Sequence, residues 1–216
     1  VTLAHLCLGT ASWATDAPYN DRVPPSDAEL TRILDVAEVN GIRWLDTSVL
    51  YGNVEARLID AKVYEKFQIV TKVRSLGVVE TPFEPYAKVW LYHARPDEVL
   101  PQEFRHNGWR RLGQSWGMSV YTLEQATAAL DLRVQVLQVP WNSGTVDEQW
   151  TWIRNRAYGD GVMFFGRQPF ARGSATNLRG WFEFALNTNP RGWCVVGVET
   201  AAQVEELCRW REEIAR

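Results

Sequence analysis

GIRWLDTSVLYGN, Gly41 to Asn53, begins like a strand and ends like a turn. Ile42, Trp44 and Leu45 form a short β-prone run that Asp46 interrupts, and Tyr51 stands immediately before Gly52. What precedes the stretch reads as a helix. Ser26-x-x-Glu29 has the form of a capping box, Leu30, Ile33, Leu34 and Ala37 share one face, and Gly41 stops the pattern. A helix that stops at a glycine and hands over to a short apolar strand is one unit of an α/β fold.

The unit recurs. β-rich runs occupy Leu3–Leu8, Ile42–Leu45, Phe67–Thr71, Val89–Tyr92, Arg111–Met118, Val134–Val139, Val162–Phe165 and Trp193–Val196. Helical stripes fall between most of them: Val146, Trp150, Ile153 and Ala157; Leu178, Trp181, Phe182, Ala185 and Leu186; and, after the cap Thr200-x-x-Gln203, Val204, Leu207, Cys208 and the stem of Arg211. Eight strands with intervening helices predict an α/β fold, a (β/α)8 TIM barrel over residues 1–216 as a single domain. A doubly wound open sheet is the alternative, but its G-x-G-x-x-G fingerprint is absent after the first run. One crossover is irregular. KVRSLGVVETPFEPYAK, from Lys72 to Lys88, contains Pro82 and Pro85 and no helical stripe. A reduced or missing helix is expected between strands 3 and 4, with Val78, Val79, Phe83 and Tyr86 as apolar cover.

With 216 residues and 46% hydrophobic content, the chain can bury one sizeable core. No apolar run is long enough to span a membrane, and VTLAHLCLGTASW at the start reads as a strand rather than a signal peptide. A net charge of −3 argues against a broad nucleic-acid surface, and the basic cluster RHNGWRR at 105–111 is expected on a solvated helix end. Cys7, Cys194 and Cys208 have neither disulfide-framework nor metal-ligand spacing, which suits reduced thiols in a cytoplasmic protein with no metal. Most of the eleven tryptophans are expected in the core or between helices and sheet.

A barrel carries its chemistry at the C-terminal ends of its strands. There the sequence offers Asp46 and Tyr51 after strand 2, Lys72 after strand 3 and His93 after strand 4. Singly, each has an ordinary explanation as a cap, a turn residue, a solvated amine or a structural imidazole. Together they have a chemical logic. A lysine ammonium favours a neighbouring phenolate and so lowers the tyrosine pKa. A buried ammonium needs a counter-charge, which Asp46 supplies, and His93 can orient a substrate oxygen. The set is suited to giving a proton to a carbonyl oxygen or taking one from an alcohol.

GIRWLDTSVLYGNVE also resembles the signature of the aldo-keto reductases, in which a strand leads into Asp-Thr-Ala/Ser and then Tyr-Gly. The resemblance runs along nearly the whole chain, through LGTASW, IVTK, LYHA, SWGMSVYTLEQ, LQVPWN, FGRQPFARG and CVVGVETAAQVEEL. It implies a metal-free carbonyl reductase that uses a nicotinamide cofactor and a small-molecule carbonyl substrate. Tyr51 would be the proton donor, Lys72 its pKa-lowering partner, Asp46 the support of Lys72, and His93 the carbonyl-orienting group. Ser119 and Gln138 match residues that hold the nicotinamide carboxamide, and Arg167 matches a position near the pyrophosphate. Thr10 and Ala11 match the first loop touching the cofactor, Gly197 and the Thr200 cap a phosphate site, and Glu206 an adenine contact. Trp13 either walls the substrate site or packs within its loop.

The chain departs from that pattern. It is shorter before strand 4 and after Gly173, where the family shapes its substrate pocket, and Val120 follows Ser119 where many members have asparagine. Gln203 stands where an arginine is common in the family, and Glu199 would repel a 2′-phosphate or accept from a ribose hydroxyl. NADPH is expected on the family pattern, with NADH as the alternative and weak discrimination between them. Two other readings stay open: a non-catalytic nicotinamide-binding subunit or sensor, and a barrel in which Lys72 forms a Schiff base.

Overall fold

A computed structural model of the chain describes residues 2–17, 19, 22–74, 81–100 and 115–216. Its strands are β1 (His5–Gly9), β2 (Trp44–Asp46), β3 (Gln68–Val73), β4 (Ala87–His93), β5 (Ser115–Ser119), β6 (Val136–Pro140), β7 (Met163–Arg167) and β8 (Trp193–Gly197). All pair in parallel with their sequence neighbours, and β1 also pairs with β8, so the sheet closes into an eight-stranded barrel. Helices α1 (Asp27–Val39), α2 (Val54–Asp60), α3 (Leu123–Asp131), α4 (Glu148–Gly159), α5 (Leu178–Asn187) and α6 (Ala201–Ala215) follow β1, β2, β5, β6, β7 and β8. The expected (β/α)8 barrel is the observed fold. No helix among the described residues is long and apolar enough to cross a membrane.

Successive strand residues face opposite sides of the sheet. Cys7, Val70, Val89, Leu91, Val136, Phe165 and Val195 form an inner cluster, with Trp44, Met163 and Trp193 packed against it. The opposite parity packs outward in a larger layer between sheet and helices, with Leu8, Leu45, Ile69, Leu137, Phe164 and Val196 meeting Leu30, Ile33, Leu34, Leu58, Phe182 and Val204. Three of the four stripe residues expected on α4, Trp150, Ile153 and Ala157, are buried on it, and Val146 packs just before its start. On α5 the buried face is Phe182, Ala185 and Leu186, while Leu178 at its first turn is exposed.

Caps fix the helix starts. Thr122 with Gln125 and Thr200 with Gln203 form full capping boxes. The box expected at Ser26 is only half made. Ser26 accepts from the Glu29 amide, but the Glu29 carboxylate reaches across to the Ala201 amide at 2.7 Å.

In the β3–β4 crossover, Val78 and Val79 lie outside the described residues, as does the 105–111 basic cluster. Residues 82–86 form turns rather than helix. Phe83 is buried as expected, but Tyr86 is exposed and stacks on Tyr64, ring centroids 4.0 Å apart. The buried carboxylate of Glu55 on α2 ties this segment down by accepting from the hydroxyls of Thr71 and Thr81.

Candidate active site

Every strand ends one or two residues beyond the run read for it in the sequence. The C-terminal ends of the strands supply one residue each to a single cavity of about 360 Å³: Gly9, Asp46, Lys72, His93, Ser119, Gln138, Arg167 and Gly197. Tyr51, Tyr121, Arg172 and Glu199 are among the loop residues that complete its lining. The β2–α2 loop explains the sequence around Tyr51. The Thr47 amide donates to the Val70 carbonyl, and the Tyr51 amide to the Ser48 carbonyl, folding the chain back over the barrel mouth. Gly52 takes a left-handed conformation, φ +56°, and a Cβ there would meet Asp16 Oδ1 at 2.2 Å. Only glycine permits both the turn and the close approach.

At the cavity floor Lys72 is almost wholly buried. Its Nζ donates to Asp46 Oδ2 at 2.7 Å, the Thr47 carbonyl at 2.7 Å and the Tyr51 hydroxyl at 3.3 Å. Three acceptors match the three protons of an ammonium. Burial works against that charge, but Asp46 and Tyr51 outweigh it and hold the Lys72 pKa above its ordinary value. An ammonium so held has no lone pair to attack a carbonyl, which argues against the Schiff-base reading.

For Tyr51 the expected direction is corrected. Burial raises its pKa above 10, and this outweighs the lowering by Lys72. The phenol therefore stays protonated at neutral pH. It remains a far stronger acid than the alcohol it would help to form. Beneath Asp46, burial first and the Asp46 charge second push the Cys7 thiol well above its ordinary pKa, so it is an inert thiol.

His93 is neutral. Burial, then Lys72, Arg167 and Arg74, lower its pKa to about 3. Its Nε2 lies 3.1 Å from the Tyr121 hydroxyl, and its Nδ1 is buried without a partner among the described residues. The Arg167 guanidinium covers the Tyr121 ring at 4.2 Å and donates from Nη2 to the Val120 carbonyl at 2.8 Å. Tyr121 thus joins His93 to Arg167, a role the sequence reading missed. The signal was available: Tyr121 lies two residues past Ser119, directly beyond a strand end.

Other expected residues divide. Ser119 donates to Gln138 Oε1 at 2.7 Å, and Gln138 Nε2 donates to Asp46 Oδ1 at 2.7 Å. This leaves a hydroxyl oxygen as acceptor and one amide N–H as donor, a pair that fits a carboxamide. On β8 a Cβ on Gly197 would meet nothing nearer than 3.9 Å, so that side of the floor is open to a flat group. Ala11 lines the cavity; Thr10 lies behind it, its hydroxyl donating to the Asp46 carbonyl.

Trp13 does not line the cavity. It is buried, its indole N–H donating to the Val198 carbonyl at 2.6 Å, so it packs under the β8–α6 loop. Gln203 and Glu206 are not brought to the cavity either. The Gln203 side chain accepts from the Glu199 and Thr200 amides as part of the cap, and Glu206 is exposed, 3.7 Å from Arg209. The α6 N-terminus, expected to receive a phosphate, carries the Glu29 carboxylate on its Ala201 amide. Arg22 pairs with Glu199 across the cavity rim, where Arg172 also stands.

No family model matches the sequence, and no curated protein is significantly similar to it. Solved structures share its fold. A protein of Pseudomonas aeruginosa, provisionally classed as an aldo-keto reductase, superposes with a TM-score of 0.76 at 19% identity, over 99% of this chain and 92% of that one. A second structure described in the same terms gives 0.74 at 19% identity, covering 99% and 91%. A thermostable aldo-keto reductase, Tm1743, solved with the inhibitor epalrestat, gives 0.63 at 18% identity, covering 96% and 89%. The chain has the barrel fold of aldo-keto reductase structures over nearly its whole length.

Proposed function

We propose that this chain is an aldo-keto reductase, an oxidoreductase that reduces an aldehyde or ketone to an alcohol with a nicotinamide cofactor. The observation that carries the proposal is the floor of the cavity, where a protonated Tyr51 hydroxyl sits on a buried Lys72–Asp46 ion pair. The cofactor, when bound, supplies the hydride that the carbonyl carbon receives. The chain's own residues do the rest. Tyr51 gives its proton to the carbonyl oxygen as charge develops there, and the adjoining Lys72 ammonium stabilises the phenolate left behind. Asp46 keeps that ammonium charged and in place. Neutral His93 and the Tyr121 hydroxyl hold the carbonyl oxygen by hydrogen bonding. Ser119 and Gln138 would hold the carboxamide, and Arg172, which lines the same cavity, would pair a phosphate of the cofactor.

The test is a panel of aldehydes and ketones offered with NADPH and with NADH, read as loss of reduced cofactor and appearance of alcohol. Turnover with at least one carbonyl is expected, and Tyr51→Phe should lower it by about 10²–10⁴. Cofactor binding without turnover on any carbonyl would instead identify a binding subunit or sensor.

A further inference from the structure

We propose that Glu55 is a positioning residue for the reaction: its buried carboxylate ties the start of α2, and with it the loop that carries Tyr51, to the strand that carries Lys72. The inference rests on the carbonyl-reductase reading and adds to it a residue that touches neither substrate nor cofactor.

The first ground is burial. Glu55 is 4% exposed, and each of its carboxylate oxygens accepts from one threonine hydroxyl, Oε1 from Thr71 and Oε2 from Thr81. No cation pairs with it among the described residues. A carboxylate taken out of water without a counter-charge is costly. The other buried residues of α2, Val54 and Leu58, are apolar and carry no such cost. Packing alone therefore does not call for a carboxylate here.

The second ground is connection. Thr71 immediately precedes Lys72, and Glu55 lies four residues after Tyr51. Before Tyr51 the loop is already pinned to the same strand. The Thr47 amide donates to the Val70 carbonyl, and the Val49 amide and the Ser48 hydroxyl both donate to the Lys72 carbonyl. Glu55 adds the tie on the far side, so Tyr51 is held between two anchorages on the run from Val70 to Lys72. Asn53 and Arg57, two residues to either side of Glu55, reach instead to the segment between β1 and α1. Of these three side chains, Glu55 is the one that sets α2 against β3.

The third ground is the contact being set, which is the longest that Lys72 makes. Its Nζ is 2.7 Å from Asp46 and from the Thr47 carbonyl, but 3.3 Å from the Tyr51 hydroxyl. Tyr51 reaches Lys72 from a loop, so this distance depends on how the loop's ends are held. A small outward shift would take it beyond hydrogen-bond length, and the phenolate left after proton transfer would lose its neighbouring ammonium. Glu55 is not among the main charges that set the Lys72 or Tyr51 pKa, so it acts through position.

The experiment measures kcat, KM and the cofactor dissociation constant, with the best carbonyl of the panel, for Glu55→Leu, Thr71→Val, Thr81→Val and Glu55→Gln, and determines the crystal structure of Glu55→Leu. Glu55→Leu removes both acceptors, and Thr71→Val removes the arm on β3. Each should lower kcat about 10- to 100-fold with KM and the cofactor constant unchanged, and the two combined should cost no more than either alone. Thr81→Val removes only the arm to the crossover and should leave kcat near the wild-type value. Glu55→Gln keeps the shape and can accept from Thr71 while donating to Thr81, so it should retain most of the activity. In the crystal structure the Tyr51 hydroxyl should lie beyond hydrogen-bond reach of Lys72 Nζ. Wild-type kcat per folded molecule in Glu55→Leu or Thr71→Val overturns the inference while carbonyl reduction stands. So does a rise in KM at constant kcat, or a Tyr51 that has not moved. If Glu55→Leu does not fold, Thr71→Val carries both the kinetics and the crystal structure. A wild type that reduces no carbonyl, with Tyr51 displaced in the variant, would remove the reductase reading and leave the tie between α2 and β3 standing.

Discussion

Towards the N-terminal end of the barrel Trp44, Phe165 and Trp193 pack together, Phe165 and Trp193 stacked at 4.8 Å and Trp44 edge-on to both. Two residues further along the first two of these strands stand Asp46 and Arg167, and four residues along the third stands Gly197. The same parity thus runs from an aromatic plug, with Phe165 fully buried and Trp44 and Trp193 half-buried, to a ring of charge and bare backbone. The plug gains from burial and ring packing. Among the described residues the ring holds an ion pair and two orphaned buried polar atoms, on His93 and Arg167, which folding alone would not select. The contrast predicts that changes at one end are read in activity and at the other in stability.

The largest effect is expected from Tyr51→Phe, which keeps the ring and removes the acid. Turnover should fall by about 10²–10⁴, or roughly 2.7–5.5 kcal/mol, while stability shifts by no more than about 1 kcal/mol. Near-full activity with the best substrate would remove Tyr51 from its role. Lys72→Met breaks the contrast deliberately. It should cost similar activity and, by leaving Asp46 buried and unpaired, about 3–5 kcal/mol of stability as well. Denaturant titration beside turnover separates the two outcomes.

Phe165→Ala tests the other end. Phe165 is fully buried in the barrel interior, and large-to-small changes there cost about 3–5 kcal/mol. For a chain of this length that lowers Tm by roughly 2–4 °C for each kcal/mol. Activity per folded molecule should persist. If it collapses at temperatures where the variant is fully folded, the two ends are coupled and the separation fails.

Much of this was legible in the sequence, for identifiable reasons. Apolar runs reveal strands, so all eight were found, yet each was ended a residue or two short. The ladder continues through Asp46, His93, Ser119 and Arg167, whose backbones pair as well as any other. Asp46, Tyr51, Lys72 and His93 were recognisable because strand ends of a barrel converge. What the sequence could not show was which partner each group takes. Burial outweighs Lys72 at Tyr51, Glu29 leaves its own cap to serve α6, and Trp13 turns from the cavity to the Val198 carbonyl. These are contacts between distant segments, and local pattern carries no information about them.

His93 gives a smaller and pH-dependent effect. Its folded pKa, about 3, lies below the ordinary 6.5. Below pH 6.5 the unfolded chain therefore binds a proton that the folded protein refuses, so stability is present above that pH and lost progressively as the pH falls towards 3. Between pH 6.5 and 5.5, above the range where most carboxylates titrate, this one group should remove about 1 kcal/mol. His93→Gln should lose that slope when unfolding is measured at both values. A wild-type kcat/KM profile that breaks near pH 6.5, and a break that vanishes in His93→Gln, would show that the imidazole titrates normally and is not held neutral.

The smallest effect concerns the cofactor's 2′-phosphate. The family resemblance favours NADPH, but the helix terminus expected to receive a phosphate is served by protein groups. Glu29 takes the Ala201 amide, Gln203 completes the cap, and the nearby Glu199 is paired with Arg22. Arg209 on α6 is exposed and lies beside Glu206. A phosphate placed there meets carboxylates before it meets a free cation. Dissociation constants for NADPH and NADH are therefore expected to lie within about tenfold of one another, 1.4 kcal/mol or less. Glu29→Gln removes one of those negative charges from the α6 N-terminus and should move the balance towards NADPH by up to about 1 kcal/mol, read as the ratio of the two constants. A preference of about 100-fold for NADPH in the wild type, roughly 2.7 kcal/mol, would require a cation that reaches the phosphate from outside this terminus. In that case Glu29→Gln should leave the ratio unchanged, because the discriminating charge would not be on α6.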